Sequence, residues 1–352
     1  MLFRSVTPDP AIELLGSSNQ FVVKPAGLCV VAPQPDSACV SGDISCSIFR
    51  KAGEAFDLTV RGVAWESAGE SDDDFCAGNV TTANFMLNSI ALFPTRIAPA
   101  SGGNDGILTR PVIDITAAGS NTVTDQAQSE VGVFTIQATP PAYHGENIAS
   151  SRSANIGRFY PAYFSVTSNT PEVEPACVSF TYHDQPFYYA TAPELTIEAR
   201  NTADAVTMNY RAAVFQLATT LDRIVSDNVG GSATLVNTVT GATVTVSGET
   251  DLDGIAILNL ESGTNGDEFE YQRQVAEAPF EADFDIEFSS TALTDDDGVC
   301  FDPEQDSTCN PLTLTAVSGT QLRFARARLT NASGSDLQPL IVPFEVEHFD
   351  GA

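Results

Sequence analysis

The chain has 352 residues, 43% of them hydrophobic and 9% aromatic, which is ample for packed cores and too long for one ordinary β-sandwich. Forty-six Asp and Glu face 16 Lys and Arg, so the net charge is −30, and a field of that sign excludes nucleic acid and anionic membranes as natural partners. There is no apolar run of about 18 residues to span a bilayer.

The first 19 residues form an extension. It lacks the basic and apolar regions of a signal peptide, which for an exported protein implies a processed or excised piece. From residue 20 to about 150, apolar residues recur with period two, as in AFDLTVRGVAW (55–65) and VGVFTIQA (131–138), so this unit is expected to be an immunoglobulin-like β-sandwich. Trp65, the only tryptophan, is expected in its core. Cys29, Cys39, Cys46 and Cys76 cluster here and predict local disulfides without fixing the pairing. The polar, Pro/Gly-containing stretch 140–157 reads as the boundary, placed at residue 150.

Residues 151–352 are expected to form a second, larger β-sandwich domain. Its strands include ELTIEARN (194–201), ATLVNTV (233–239), GIAILNL (254–260) and LIVPFEVEHF (340–349). Val214, Leu217, Leu221 and Val225 are spaced for one short helix within 209–225. Cys177 is left without an obvious partner, whereas Cys300 and Cys309 bracket a Pro/Asp-rich loop and are expected to bond to each other. The fold class is therefore all-β, tandem β-sandwiches with at most one short helix.

Little in the sequence points to catalysis. There is no GxSxG, HExxH, GxGxxG or P-loop, and the three histidines, His144, His183 and His348, are scattered, so no enzyme is expected. In LTDDDGVCFDPE (293–304), Asp295, Asp297 and Glu304 fall at positions 3, 5 and 12 of a calcium-loop pattern, and Asp302 could add a ligand. Leu293 occupies the first ligand position, which leaves calcium as the one, weak, cofactor candidate. ESDDDF (70–75) and TDLDGIA (250–256) are less specific acidic clusters. Near the C-terminus Arg326 and Arg328 share one strand face, and Glu345 and Glu347 offer them cross-strand partners if NASGSD (331–336) is the turn.

The segment LRFARARLTNASGSDLQPLIVPFEVEHFDG (322–351) resembles the MshQ-like family of MSHA (mannose-sensitive haemagglutinin) pilus biogenesis proteins and related bacterial surface proteins. The similarity continues through FVVKPAGLCV (21–30), KAGEAFDLTVRGVAW (51–65), IGRFYPAYFSV (156–166), CVSFTYHDQPF (177–187), LTIEARN (195–201), MNYRA (208–212) and DDDGVC (295–300). The resemblance implies a secreted structural or adhesion-associated component of a type IV pilus or attachment system, at the cell surface, outside the cell or in the periplasm. Its partners would be other pilus or surface proteins, or glycans. It carries over no catalytic residue, and Gly157, Arg158, Phe159, Pro161, Asn201, Tyr210, Asn331, Gly334 and Pro343 are expected to serve turns and packing. A carbohydrate- or calcium-dependent binding module is the alternative, and a glycosidase a distant third.

Overall fold

The computed structural model describes residues 2–6, 13–17, 19, 21–67, 75–218, 221–240, 243–246 and 254–351, with 2–6, 13–17 and 243–246 as backbone only. Residues 70–74 of the cluster at 70–75 and most of the cluster at 250–256 lie outside the described residues. Within the expected extension, Leu2–Val6 and Glu13–Ser17 pair antiparallel.

Two sheets build the first sandwich. One orders Gly27–Val31, Phe56–Val63 and Ser120–Gln126; the other orders Arg50–Lys51, Ile156–Tyr160, Gly132–Thr139, Leu87–Ala98 and Val112–Ile115, with Ser151–Arg152 also on Gly132–Thr139. Phe56–Val63 shows why. Phe56, Leu58 and Val60 are buried while Asp57, Thr59 and Arg61 are partly exposed, the alternation that a pleated strand imposes on a one-sided core. Phe49, Phe56 and Phe159 meet with ring centroids 5.5–5.7 Å apart and bind the two sheets into a single core.

That core runs past residue 150. Ser151–Arg152 and Ile156–Tyr160 complete its second sheet, and Phe159 is 1% exposed. The polar stretch read as a linker is a surface excursion inside the unit, closed by reciprocal backbone bonds between Tyr143 and Glu146. Trp65 is also corrected. It is 66% exposed, because the last buried residue of its strand is Val63 and Trp65 lies beyond the strand's end.

The second sandwich starts at Tyr163. One sheet orders Tyr163–Ser168, Glu194–Arg200, Ile255–Asn259 and Thr243–Val246; another orders Arg223–Asp227, Phe284–Phe288 and Leu312–Val317, with shorter ladders around them. Its core is aromatic: Phe187, Tyr189, Phe269, Tyr271, Phe284 and Phe288 are all essentially inaccessible. Among the described residues there is no α-helix, only 3-10 turns at Ala212–Val214 and Gly263–Asn265. Val214, Leu217 and Leu221 are buried, as their spacing implies, but no α-helix carries them, and Val214 ends the 3-10 turn. The 3-10 turn is closed by Val214 N–H to the Arg211 carbonyl and Phe215 N–H to the Ala212 carbonyl, and just after it the Tyr210 hydroxyl accepts the Gln216 N–H.

Three disulfides form, Cys29–Cys76, Cys39–Cys46 and Cys300–Cys309. They mark a protein of an oxidising, non-cytoplasmic compartment. Cys177 is free and half-buried, its thiol beside the Gln185 amide. Ala325–Leu329 and Phe344–His348 form a separate antiparallel ribbon that pairs with no other described strand. No helix among the described residues is long and apolar enough to cross a membrane.

Candidate functional site: the junction between the sandwiches

The strongest concentration of buried polar side chains lies where the two sandwiches meet. Arg158, on Ile156–Tyr160, reaches across to Asp297 in the loop after Phe284–Phe288, and both guanidinium Nη atoms donate to the two carboxylate oxygens. Both side chains are under a tenth exposed. Arg158 Nε also donates to the Cys46 carbonyl, which ties the pair to the Cys39–Cys46 loop.

A second contact is built on Glu130, 5% exposed. Its carboxylate accepts the backbone N–H groups of Met208 and Asn209, each at 3.1 Å. Burial pushes the Glu130 carboxyl up, opposed by the donors from Asn209 and Met208. Asn209, fully buried, donates through Nδ2 to the carbonyls of Asn104 and Val131 and accepts the Asn104 N–H. Gly103 makes room for it: at φ 68° a Cβ there would sit 1.9 Å from Asn209 Oδ1. Asn201 adds a third bridge, from Nδ2 to the Ser129 carbonyl at 3.0 Å, while its Oδ1 accepts the N–H groups of Ala203 and Ala205. Apolar packing follows the same seam, since Ala52 and Val131 belong to the core of the second sandwich.

The expected calcium ligands lie beside this seam but do not converge. Asp295 Oδ1 accepts the N–H groups of Asp297 and Val299, and Oδ2 accepts the Tyr210 hydroxyl at 2.6 Å. Burial raises the Asp295 carboxyl against the lowering effect of Tyr210 and raises the Tyr210 phenol as well. Asp297 is taken by Arg158. Asp302 accepts the N–H groups of Asp306 and Ser307, and Glu304 accepts the Asn310 amide. Each carboxylate is occupied by protein donors, and among the described residues no group of three or more His, Cys, Asp and Glu could hold a metal ion. Asp295 and Asp302 brace a turn pinned by the Cys300–Cys309 bond.

A second internal pair lies deeper. Arg223 and Asp267, 1% and 0% exposed, pair within the second sandwich, and Asp267 also accepts the Tyr189 hydroxyl and the Thr240 N–H and hydroxyl. Nothing in the sequence marked it. Asp267 sits in a Gly- and Glu-rich stretch that reads as a turn. Of the histidines, His348 faces Asp350 at 2.7 Å on the exposed ribbon, and His183 is buried between Phe280 and Phe324.

The junction residues come from particular segments. Arg158 belongs to IGRFYPAYFSV, Asn201 to LTIEARN, Asn209 and Tyr210 to MNYRA, and Asp295 and Asp297 to DDDGVC. Four separately read segments thus converge on one seam, where residues assigned to turns and packing act as inter-unit ties. Fold and site together define a disulfide-stapled, all-β protein of two sandwiches joined through a buried polar seam. A family model described as DUF6701, third domain, matches residues 130–316, more than half of the chain, and one described as DUF6701, second domain, matches 24–128. The chain belongs to the DUF6701 family. A search of curated proteins finds no match. The two matched segments meet between 128 and 130, just before Gly132–Thr139, so a strand matched by the third-domain model completes the first sandwich.

Proposed function

We propose that this chain is an MshQ-like structural component of a type IV, MSHA-like pilus or related surface-attachment system, working outside the cytoplasm as a stiff two-sandwich spacer that supports or displays an adhesive element. The observation that carries the reading is the seam itself. Arg158–Asp297, Glu130–Asn209 and Asn201–Ser129 fix one sandwich against the other through buried groups that would be costly to expose unpaired. A hinge between domains is normally made of exposed linker with few crossing contacts, which is the opposite arrangement. Three disulfides suit a protein that must persist outside the cell. The proposal is non-enzymatic. Fractionation of cells that make the protein tests it: the chain should copurify with sheared surface appendages and be cleaved by protease added to intact cells. Recovery in the cytoplasm, protected from protease, would defeat it.

One observation favours a second reading, a glycan-binding module. Trp65 is exposed two residues beyond Val63, and a cleft lined by Val23, Lys24, Asn84 and Tyr143 lies along the segments that neighbour that strand's end. The Ala26 N–H donates to Val63 and the Ala64 N–H to Val80, so these segments run side by side. An exposed indole beside polar groups is the usual platform for a sugar face. Titrating the intrinsic tryptophan fluorescence with a panel of oligosaccharides checks it, since a binder would give saturable quenching that Trp65→Ala removes.

A further inference from the structure

His183 is buried at the point where the ribbon of Ala325–Leu329 and Phe344–His348 leaves the second sandwich. Its backbone N–H donates to the Arg323 carbonyl, and its ring lies edge-on to Phe280 and to Phe324, the residue that joins Gln321–Arg323 to the ribbon. The side chain is 1% exposed, and among the described residues neither ring nitrogen has a hydrogen-bond partner. Three charged side chains face it. Glu277 Oε1 stands 3.9 Å from Nδ1, but that carboxylate already accepts the N–H groups of Ser232 and Ala233. Asp184 is held by the backbone N–H and the guanidinium of Arg273, and Arg273 in turn lies over Phe324 and donates to the Ala325 carbonyl. An imidazolium here would have Glu277 to face at Nδ1 and no acceptor for its second N–H, so the site suits the neutral ring. Burial accordingly lowers the His183 pKa, against the pull of Glu277 and Asp184 and with a smaller lowering effect of Arg273.

We propose that His183 is an acid-operated latch on the C-terminal ribbon: neutral, its ring seats Phe324 against the second sandwich, and on protonation it leaves that site and Phe324 swings out with the ribbon. The two rings that cover His183 are held unequally. Phe280 pairs with Leu322 in the body and packs on Tyr271, with ring centroids 5.3 Å apart. Phe324 leads into a ribbon that pairs with no other described strand. The ribbon's contacts with the body gather at this one end, at Arg273, at Ala276 in the cleft beside Arg326 and Glu347, and at Ala278 beside Gly351. Opening follows the element with least to lose, so a charge forced onto His183 moves Phe324 and not Phe280. A two-stranded ribbon freed at its root is only marginally stable in water and frays. Linkage sets the size of the effect. If the ring takes up its proton only in the open form, where its pKa is the ordinary value of about 6.5, going from about pH 7.5 to about pH 5.0 raises the opening constant by up to about thirtyfold.

Hydrogen exchange of the full chain at these two pH values, corrected for the intrinsic rate at each and read by mass spectrometry, tests the proposal. Ribbon amides at 325–329 and 344–349 should open several-fold more at the lower pH, up to about thirtyfold, while those of Gly132–Thr139 in the first sandwich keep their protection. In His183→Phe the ratio between the two pH values should fall to about one, and His183→Leu gives the same reading if the larger ring does not fit. His348, the ribbon's own histidine, stays in all three chains, so a response that it causes would survive both substitutions. Equal opening of the ribbon amides at both pH values overturns the proposal, as does a pH response that persists in the variants. A response shared by Gly132–Thr139 overturns it too, since it reports loosening of the whole fold.

Discussion

Arg158 and Asp297, 139 positions apart in the chain, pair guanidinium to carboxylate across the boundary between the two sandwiches, both nearly shielded from water. Removing one partner leaves the other as an uncompensated charge in a site that excludes solvent. Arg158→Ala is therefore expected to destabilise the protein by about 3–5 kcal/mol, whereas the double change Arg158→Met with Asp297→Leu should cost far less. Chemical denaturation of the three proteins measures the difference. Equal losses in single and double variants would mean that apolar packing, and not the ion pair, holds the seam.

The His183 side chain is 1% exposed, lies edge-on to Phe280 and Phe324, and has no hydrogen-bond partner on either ring nitrogen among the described residues, with a Glu277 oxygen at 3.9 Å from Nδ1. Burial holds its pKa below the ordinary 6.5, against the opposing pull of the Glu277 and Asp184 carboxylates and with a smaller lowering effect of Arg273. A base with a lowered folded pKa binds fewer protons folded than unfolded, so its contribution is complete above 6.5 and is lost as pH falls through and below that value. His183→Phe fills the same space without a proton to gain. Melting curves from pH 8 to pH 5 should show the parent losing stability relative to this variant only below about 6.5. Parallel curves throughout would show that His183 takes up no differential proton.

The disulfides should not contribute equally. In the loop-closure picture the bond across 47 residues, Cys29–Cys76, constrains the unfolded chain by about 4 kcal/mol, against about 2.5 kcal/mol for Cys300–Cys309 across nine. Paired Cys→Ser variants compared by denaturation check the order. Peptide mapping without reduction should recover the three bonds and one alkylatable thiol, Cys177.

Calcium is expected to do little. Asp295, Asp297, Asp302 and Glu304 each already accept donors from the protein, so a cation would have to displace those bonds before it gained ligands. Neither 5 mM calcium nor excess chelator should shift the melting temperature by more than about 1 °C. A saturable stabilisation by calcium, lost in Asp302→Asn, would contradict this.

Strand identity was legible where apolar and polar residues alternate along the chain. The alternation in 55–65 and 131–138 matches Phe56–Val63 and Gly132–Thr139, and the pairing of Arg326 and Arg328 with the Glu345/Glu347 strand follows from the same period. The Cys300–Cys309 bond was legible from its short spacing. Tertiary context decided the rest. Buried anchors at Val214, Leu217 and Leu221 have helical spacing, yet only Val214 lies in a helical turn, a short 3-10 one, and burial at similar intervals arises without an α-helix. The 140–157 stretch looks like a linker because a surface loop and a linker share one composition. The seam was invisible because Arg158, Glu130, Asn209 and Asp297 are distant in sequence, and each alone reads as a surface polar residue. Trp65 looked like core because its strand does, and only the strand's end at Val63 shows that the indole has left it.

On the proposed reading, rigidity at the seam, and not a ligand held by Trp65, is what this chain supplies to attachment. Surface adhesion of cells that make the protein, compared for Arg158→Ala with Asp297→Ala and for Trp65→Ala at matched levels of exported chain, tests that most directly. Loss of adhesion in the seam variant with retention in Trp65→Ala is the predicted result. Retained adhesion with a broken seam, together with its loss in Trp65→Ala, would contradict the account and make the exposed indole the working part of the molecule.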